Sequence, residues 1–350
     1  MSASMMAALP AAPALETPRA LFAAASAAPV PRTSGAGGLD KSLFLDVNTF
    51  ARPALTGDFG PYRRAGGGCS VREEREGRAG GVMPERPVSA QFLGGMDVLV
   101  QDDAWLGDEA ANLALEEALV RAVPRRPLLR IWQNGACVVI GRGQRVSREV
   151  NAAACAASGV PVLRRASGGG TVYHDPGNLN ISMAVPGKEP GLAGELAALV
   201  AGVIGRLGLQ ASIGGRGVFI GPAKVSGLAS QVTRDGTLAH ATLLVTTSAD
   251  RVQAYLSPAP PDRHPLDSHR SQALPLCAHD PALDITVARQ AVLAEAASRY
   301  GPLSPRAPRP AERRWQARLL AERYRHDSWN RTGRPKETSW TTRPVLISTG

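Results

Sequence analysis

Apolar residues recur with a helical period between Gly107 and Val123, placing Ala111, Leu115, Ala118, Leu119 and Val123 on one face. Acids stand near the start of this stretch and Arg121 near its end, as the helix dipole favours, and Pro124 stops it. The period then shortens. LLRIWQ and CVVIG are β-type runs separated by Asn134-Gly135, a pair that predicts a hairpin. Asn151 is placed to cap a short helix that reaches Ser158 and ends at Gly159. VPVLRRA predicts a strand running into Gly168, Gly169 and Gly170, TVYHD a strand leaving them, and NLNISMAV a further alternating strand. Leu192 to Leu207 predicts a helix stopped by Gly208. VFIG, KVSGLASQV and LAHATLLVTT then predict hairpins, with a turn at Asp235-Gly236. Ser248 to Leu256, Asp284 to Tyr300 and Arg309 to His326 predict closing helices.

Strands joined by short turns, with helices grouped before and after them, predict an α+β fold with a mixed, largely antiparallel sheet backed by helices. No strict βαβ alternation is present. A strand, not a helix, follows the glycine triplet, so neither a dinucleotide fold nor a P-loop fits.

Composition changes the picture at the two ends. Residues 1–95 open with an Ala/Pro/Ser-rich stretch almost free of acids and continue without periodicity. They are expected to form a disordered extension, either a transit segment or the product of a start codon set too early, with Met83 or Met96 the beginning. Residues 96–330 are expected to form the catalytic domain. Residues 331–350 are expected to be a short basic tail with no accessory C-terminal domain. No segment reaches the roughly 18 apolar residues of a membrane span. The four cysteines, Cys69, Cys137, Cys155 and Cys277, show no metal or disulfide spacing, which points to a reducing compartment: the cytoplasm, or an organelle if the extension is a transit peptide. The formal charge is +10, and +7 of it falls after residue 300. A solvated basic helix or an acidic partner is expected there rather than nucleic acid.

The candidate chemistry lies in RRASGGGTVYHD. Three glycines let backbone amides lie against a phosphate, because no Cβ blocks the approach. Arg165 precedes them and offers a rigid fork for phosphate oxygens. Lys224 arrives from a distant strand within AKVSGLAS. Two cations and bare amides around one point suit an activated, phosphate-bearing intermediate.

Three ordered motifs, Arg164 to Asp175, Lys224 to Ala229, and His240 with Leu243 and Leu244, resemble the lipoate-protein ligase branch of the biotin/lipoate ligase and lipoyl-transferase superfamily. CVVIGRGQRVSREVN resembles the strand and loop before them, so the likeness covers about Val98 to Asn330. It implies a biotin/lipoate ligase-like catalytic fold. It also implies activation of lipoate or octanoate by ATP and Mg²⁺ as an acyl adenylate, then transfer to a lysine. The acceptors implied are lipoyl domains of 2-oxoacid dehydrogenase acyltransferase subunits and the glycine cleavage H protein, with a separate accessory subunit an open question. Lys224 would sit at the acyl-phosphate junction as the catalytic residue. Arg165, Gly168, Gly169, Gly170, Thr171, Val172 and Tyr173 would bind the nucleotide or wall the acyl slot. His174, Asp175 and His240 would support them, Asp175 either structurally or by holding Mg²⁺ through water; the metal ligands are otherwise unassigned.

The chain also departs from the family pattern. GRGVF at Gly215 to Phe219 replaces GRND, the histidine motif reads HAT rather than HGT, and Ser248 stands where relatives carry Asp. Two alternatives therefore stay open: an ATP-independent lipoyl or octanoyl transferase, and a non-catalytic acyl-adenylate-binding module. A thioester transferase needs a cysteine just ahead of the lysine, and Gly214 to Ala223 holds none.

Overall fold

A computed structural model describes residues 90–334 except 93, 102–106 and 216. The expected extension, up to residue 89, and the tail from residue 335 lie outside the described residues. Among those described, the first half contains β1 (Met96–Val100), α1 (Glu109–Arg121), β2 (Leu128–Trp132), β3 (Cys137–Ile140), α2 (Val146–Glu149), α3 (Ala152–Ala157), β4 (Val162–Arg164), β5 (Val172–His174) and β6 (Asn178–Pro186). The second contains α4 (Leu192–Arg206), β7 (Ser212–Gly214), β8 (Gly217–Ile220), β9 (Ala223–Val232), β10 (Gly236–Leu244), α5 (Ala249–Tyr255), α6 (Ile285–Tyr300), β11 (Leu303–Pro305), α7 (Pro310–Leu319) and α8 (Asp327–Thr332).

The large sheet has the order β11-β1-β2-β6-β10-β9-β8-β7, and a small one the order β4-β3-β5. Only β1 with its two neighbours and β3 with β4 pair in parallel, so the fold is α+β with a mostly antiparallel sheet. Period-two alternation sorts the large sheet's faces. Ile131, Leu179, Ile181, Met183, Ala239, Ala241 and Leu243 point into one core, closed by α4 and α6 through Leu196, Leu199, Val203, Val292 and Ala296. On the opposite face lies α1, buried all along Ala111 to Val120. Its Leu115 and Leu119 pack on the large sheet, while Leu113, Ala114 and Ala118 pack with the small sheet's Val139 and Leu163 and with Leu319.

The caps follow the sequence closely. Asp108 accepts the Ala111 N–H at 2.9 Å, and Asn151 accepts that of Ala154 at 3.2 Å. One turn does not. The runs flanking Asn134-Gly135 form no hairpin: β2 pairs with β1 and β6, and β3 pairs with β4 and β5 in the other sheet. Asn134 is fully buried there, within hydrogen-bonding distance of Asn112 and His174, so tertiary contacts override the local turn preference. Packing also extends past both expected domain limits. Phe92 is buried against Tyr300 at 4.9 Å between ring centres, and the Arg331 carbonyl accepts from Arg164 at 2.9 Å.

Candidate functional site

Register places Arg130, Ser182 and His240 in one row across β2, β6 and β10, and Trp132, Asn180 and Thr242 in the next. These are the polar positions of alternating strands, yet α1 and the small sheet cover them. Of these, Trp132, Asn180, His240 and Thr242 line a cavity of about 80 Å³, together with Leu113, Val139, Val172, Arg165 and Lys224. A second cavity, of about 440 Å³, is walled by small residues including Gly168, Gly169, Gly194 and Gly217. Leu228 and Ala229 line both.

The glycine loop joins β4 to β5. Gly169 has φ +83°, and a Cβ there would lie 2.9 Å from the Ala229 Cβ, so both backbone and packing require glycine. Arg165 does not present its fork outward. Its Nε donates to Ser167 Oγ at 3.0 Å, Nη1 to the Val139 carbonyl, and Nη2 to the Gly168 and Gly170 carbonyls at 2.6 and 2.7 Å. Burial, with the neighbouring Arg164 charge adding to it, lowers its pKa to about 10, so it remains a cation at neutral pH, shaping the loop from beneath. Arg164 is buried too, and donates to the carbonyls of Gly141, Arg142, Gln144, Trp329 and Arg331.

Lys224 reaches the first cavity across a glycine pair. Gly217 and Gly227 face one another between β8 and β9, and a Cβ on Gly217 would fall 2.6 Å from Lys224 Cε. The altered GRGVF thus has a steric meaning: Gly217 leaves the room that the lysine stem fills, and Val218 enters the main core. The Lys224 backbone is held by the segment that follows α5, its N–H donating to the Gln272 carbonyl at 2.8 Å and its carbonyl accepting from Leu274 at 3.1 Å. The same segment crosses the glycine loop. Ser268 Oγ accepts the Thr171 N–H at 2.7 Å and donates to Glu149 at 2.5 Å, while Arg148 pairs with Asp262 and Asp267. Ser268 and His269, both lining the cavity, were not legible beforehand, because the Pro-rich stretch before them has no periodicity.

The supporting residues separate by strand alternation. Val172 and His174 line the cavity, but Tyr173 points to the other side of β5, packing at 5.2 Å on Tyr255 among Val138, Val150 and Cys155. The expectation that Tyr173 walls the slot is therefore corrected. Burial and the Arg165 charge push His174 down to about 3, so its ring is neutral, and Asn134 Nδ2 donates to its Nδ1 at 3.1 Å. Asp175 accepts from Gly177 N–H and the Thr247 hydroxyl, each at 2.9 Å, as a turn anchor. Both bonds use one oxygen, Oδ1, and among the described residues no group of three or more His, Cys, Asp and Glu could hold a metal. His240 sits between Glu116, 2.9 Å from Nδ1, and Ser167, 2.8 Å from Nε2. Glu116 was missed, although an acid on the helical face carrying Leu113 and Val120 is a signal that it meets something buried.

Residues 108–297 match the lipoyl protein ligase A/B catalytic domain. A curated relative named for lipoate-protein ligase A, from Aeropyrum pernix, is 42% identical over 159 residues, which are 43% of this chain and 60% of the relative. The chain thus spans under two-thirds of that relative's length. Among solved structures, the bipartite lipoate protein ligase of Thermoplasma acidophilum, described with its E2 lipoyl domain, aligns with 69% of this chain and 98% of its own at 26% identity and a TM-score of 0.58. A lipoate-protein ligase A bound with ATP aligns with 68% and 98% at 23% identity and the same TM-score, which shows the fold. The match to the domain extends over more than half of the sequence, and the chain belongs to the lipoyl protein ligase A/B catalytic domain family.

Proposed function

We propose that this protein is an ATP-dependent lipoate or octanoate ligase that activates the acid as an acyl adenylate and transfers it to a lysine of lipoyl domains. The observation that carries the reading is one cavity whose lining combines Leu113, Trp132, Val139 and Val172 with the cations Arg165 and Lys224. Apolar walls suit an acyl chain, and the cations suit the anionic junction it must form. In the first step the carboxylate oxygen attacks the α-phosphate and pyrophosphate leaves. In the second, a lysine amine attacks the acyl carbonyl, a proton is lost, and AMP leaves. The first step brings anions together, and preorganised positive charge lowers its barrier. Arg165 supplies a buried charge beneath the loop, and Lys224 a compact ammonium beside it. The wider, glycine-walled cavity is the room for the nucleoside. Solved structures of this fold described with lipoic acid, with ATP and with an E2 lipoyl domain support the choice of lipoate, ATP and a lipoyl domain as reactants.

The test is a mass assay on an apo lipoyl domain with free lipoate or octanoate, with and without ATP. A mass shift that requires ATP, with stoichiometric pyrophosphate, is expected. A shift that ignores ATP and requires an acyl-carrier donor would establish a transferase instead. A thioester route has little to build on: Cys137 is buried and burial pushes its pKa well up, and Cys155 is raised the same way. Adenylate binding without any acylation would leave only a binding module.

A further inference from the structure

Glu116 is a buried carboxylate on α1 that faces two hydrogen-bonded chains. In the first, Arg165 Nε lies 3.0 Å from Ser167 Oγ, Ser167 Oγ lies 2.8 Å from His240 Nε2, and His240 Nδ1 lies 2.9 Å from Glu116 Oε2. In the second, Trp132 Nε1 donates to Ser182 Oγ at 2.9 Å, and Ser182 Oγ donates to Glu116 Oε1 at 2.6 Å. Guanidinium and indole N–H groups only donate, and an ionised carboxylate only accepts. A hydroxyl that accepts from such a donor still has its own proton to give, and a singly protonated imidazole between a hydroxyl and a carboxylate places its N–H toward the carboxylate. Ser167 accepts from Arg165 and donates to His240, so His240 carries its proton on Nδ1. Glu116 stays ionised: burial pushes its pKa up, but His240, Ser182 and Arg130 outweigh it and hold it at about 2.

We propose that Glu116 is a positioning residue for acyl activation, the shared acceptor end of two polarised chains. One sets the Arg165 guanidinium beneath the glycine loop, and the other sets the Trp132 indole in the cavity wall. Arg165 in turn donates to the Gly168 and Gly170 carbonyls, so the first chain ends on the loop backbone itself. Glu116, His240, Arg165 and Trp132 all line the one cavity, which is why a single carboxylate reaches both of its sides. The kinetic part of this inference rests on the activity proposed above; the chain polarity does not.

The experiment uses the full chain with imidazole nitrogens labelled, and His240→Gln to assign the resonance. In the nitrogen spectrum His240 should appear protonated on Nδ1 and bare on Nε2; an Nε2–H or doubly protonated ring overturns the proposal. Ser167→Ala should lower the kcat of pyrophosphate release by roughly tenfold to a hundredfold, the scale of one charge-assisted hydrogen bond, with little change in KM for the acid, whereas Glu116→Gln, which cuts both chains, should lower kcat as much and raise KM as well. Their double variant should lose no more than the worse single one. Ser182→Ala should instead raise KM for the acid and combine additively with Ser167→Ala, because it cuts the other chain. Additive losses for Glu116→Gln with Ser167→Ala, in rate and in Tm alike, would reduce Glu116 to an ordinary buried acid and overturn the proposal. A wild-type protein that releases no pyrophosphate refutes the ligase reading, while the tautomer and the Tm cycle still decide the chain.

Discussion

Gly217→Ala tests the notch that positions Lys224 without touching the lysine. The added methyl would stand 2.6 Å from Lys224 Cε, 3.3 Å from Nζ and 2.6 Å from the Ser226 carbonyl oxygen. The lysine end can swing aside, but Ser226 O is backbone of the neighbouring strand, so β8 and β9 must part locally. Gly217 does not have a positive φ, so no conformational strain adds to the steric one. Inserting a methyl into a tight contact destabilises by about 1–3 kcal/mol. At about 2–4 °C per kcal/mol for a domain of this size, Tm should fall by several degrees. The rate should fall further than the stability. Misplacing a reacting group by about 1 Å costs on the order of 10² in rate. Thermal melts beside the lipoyl-domain mass assay give both numbers, and Gly168→Ala is the stability control, because nothing lies within 4 Å of a Cβ there. If the Gly217 variant melts several degrees lower yet acylates at the wild-type rate, the placement of Lys224 is not what the reaction depends on. An unchanged melt would refute the notch itself.

Lys224→Ala should slow adenylate formation by roughly 10²–10³, the scale for one preorganised donor, measured by pyrophosphate release. Arg164→Lys leaves three donors for five carbonyls, and orphaned buried carbonyls at about 1–3 kcal/mol each should lower the melting temperature sharply. His174 has a folded pKa of about 3 against an unfolded value near 6.5, so the unfolded state binds the extra proton between them. Its contribution is complete above about 6.5 and is lost as pH falls, by about 1.4 kcal/mol per unit, and His174→Gln should flatten that acid-side slope in melts.

The helices and most strands were legible because local signals agreed with the tertiary structure. Asn151 caps where its spacing places it, and Asp108, Ser248 and Asp284 cap the helices whose periodicity predicts them. The site was half legible. NLNISMAV alternates, and alternation normally assigns its polar half to solvent. Here Asn180 and Ser182 face a covered polar row instead, because α1 runs over them and offers Glu116 as an acceptor. No local pattern encodes that covering helix. The Asn134-Gly135 turn failed for the same kind of reason: its side-chain partners lie on α1 and β5, far away in sequence. The segment across the loop was hidden altogether, since its shape comes from pairing Asp262 and Asp267 with Arg148, and Ser268 with Glu149.

The arginine pair shows how adjacent identical residues divide into two tasks. Successive side chains at a strand end point to opposite sides. Arg164, the last residue of β4, turns toward the carbonyl-rich end of α8, where the Trp329 and Arg331 carbonyls and the helix dipole both favour a cation. Trp329 returns the contact, its indole N–H donating to the Arg164 carbonyl at 2.8 Å. Arg165 turns the other way, under the glycines. A sequence motif in which both arginines look equally suited to phosphate thus resolves into one residue that fastens the C-terminal helix to the strand and one that shapes the loop. Charge alone cannot substitute for the guanidinium at position 164. Its fork geometry is what lets one side chain satisfy five carbonyls at once, where a lysine has three donors to offer.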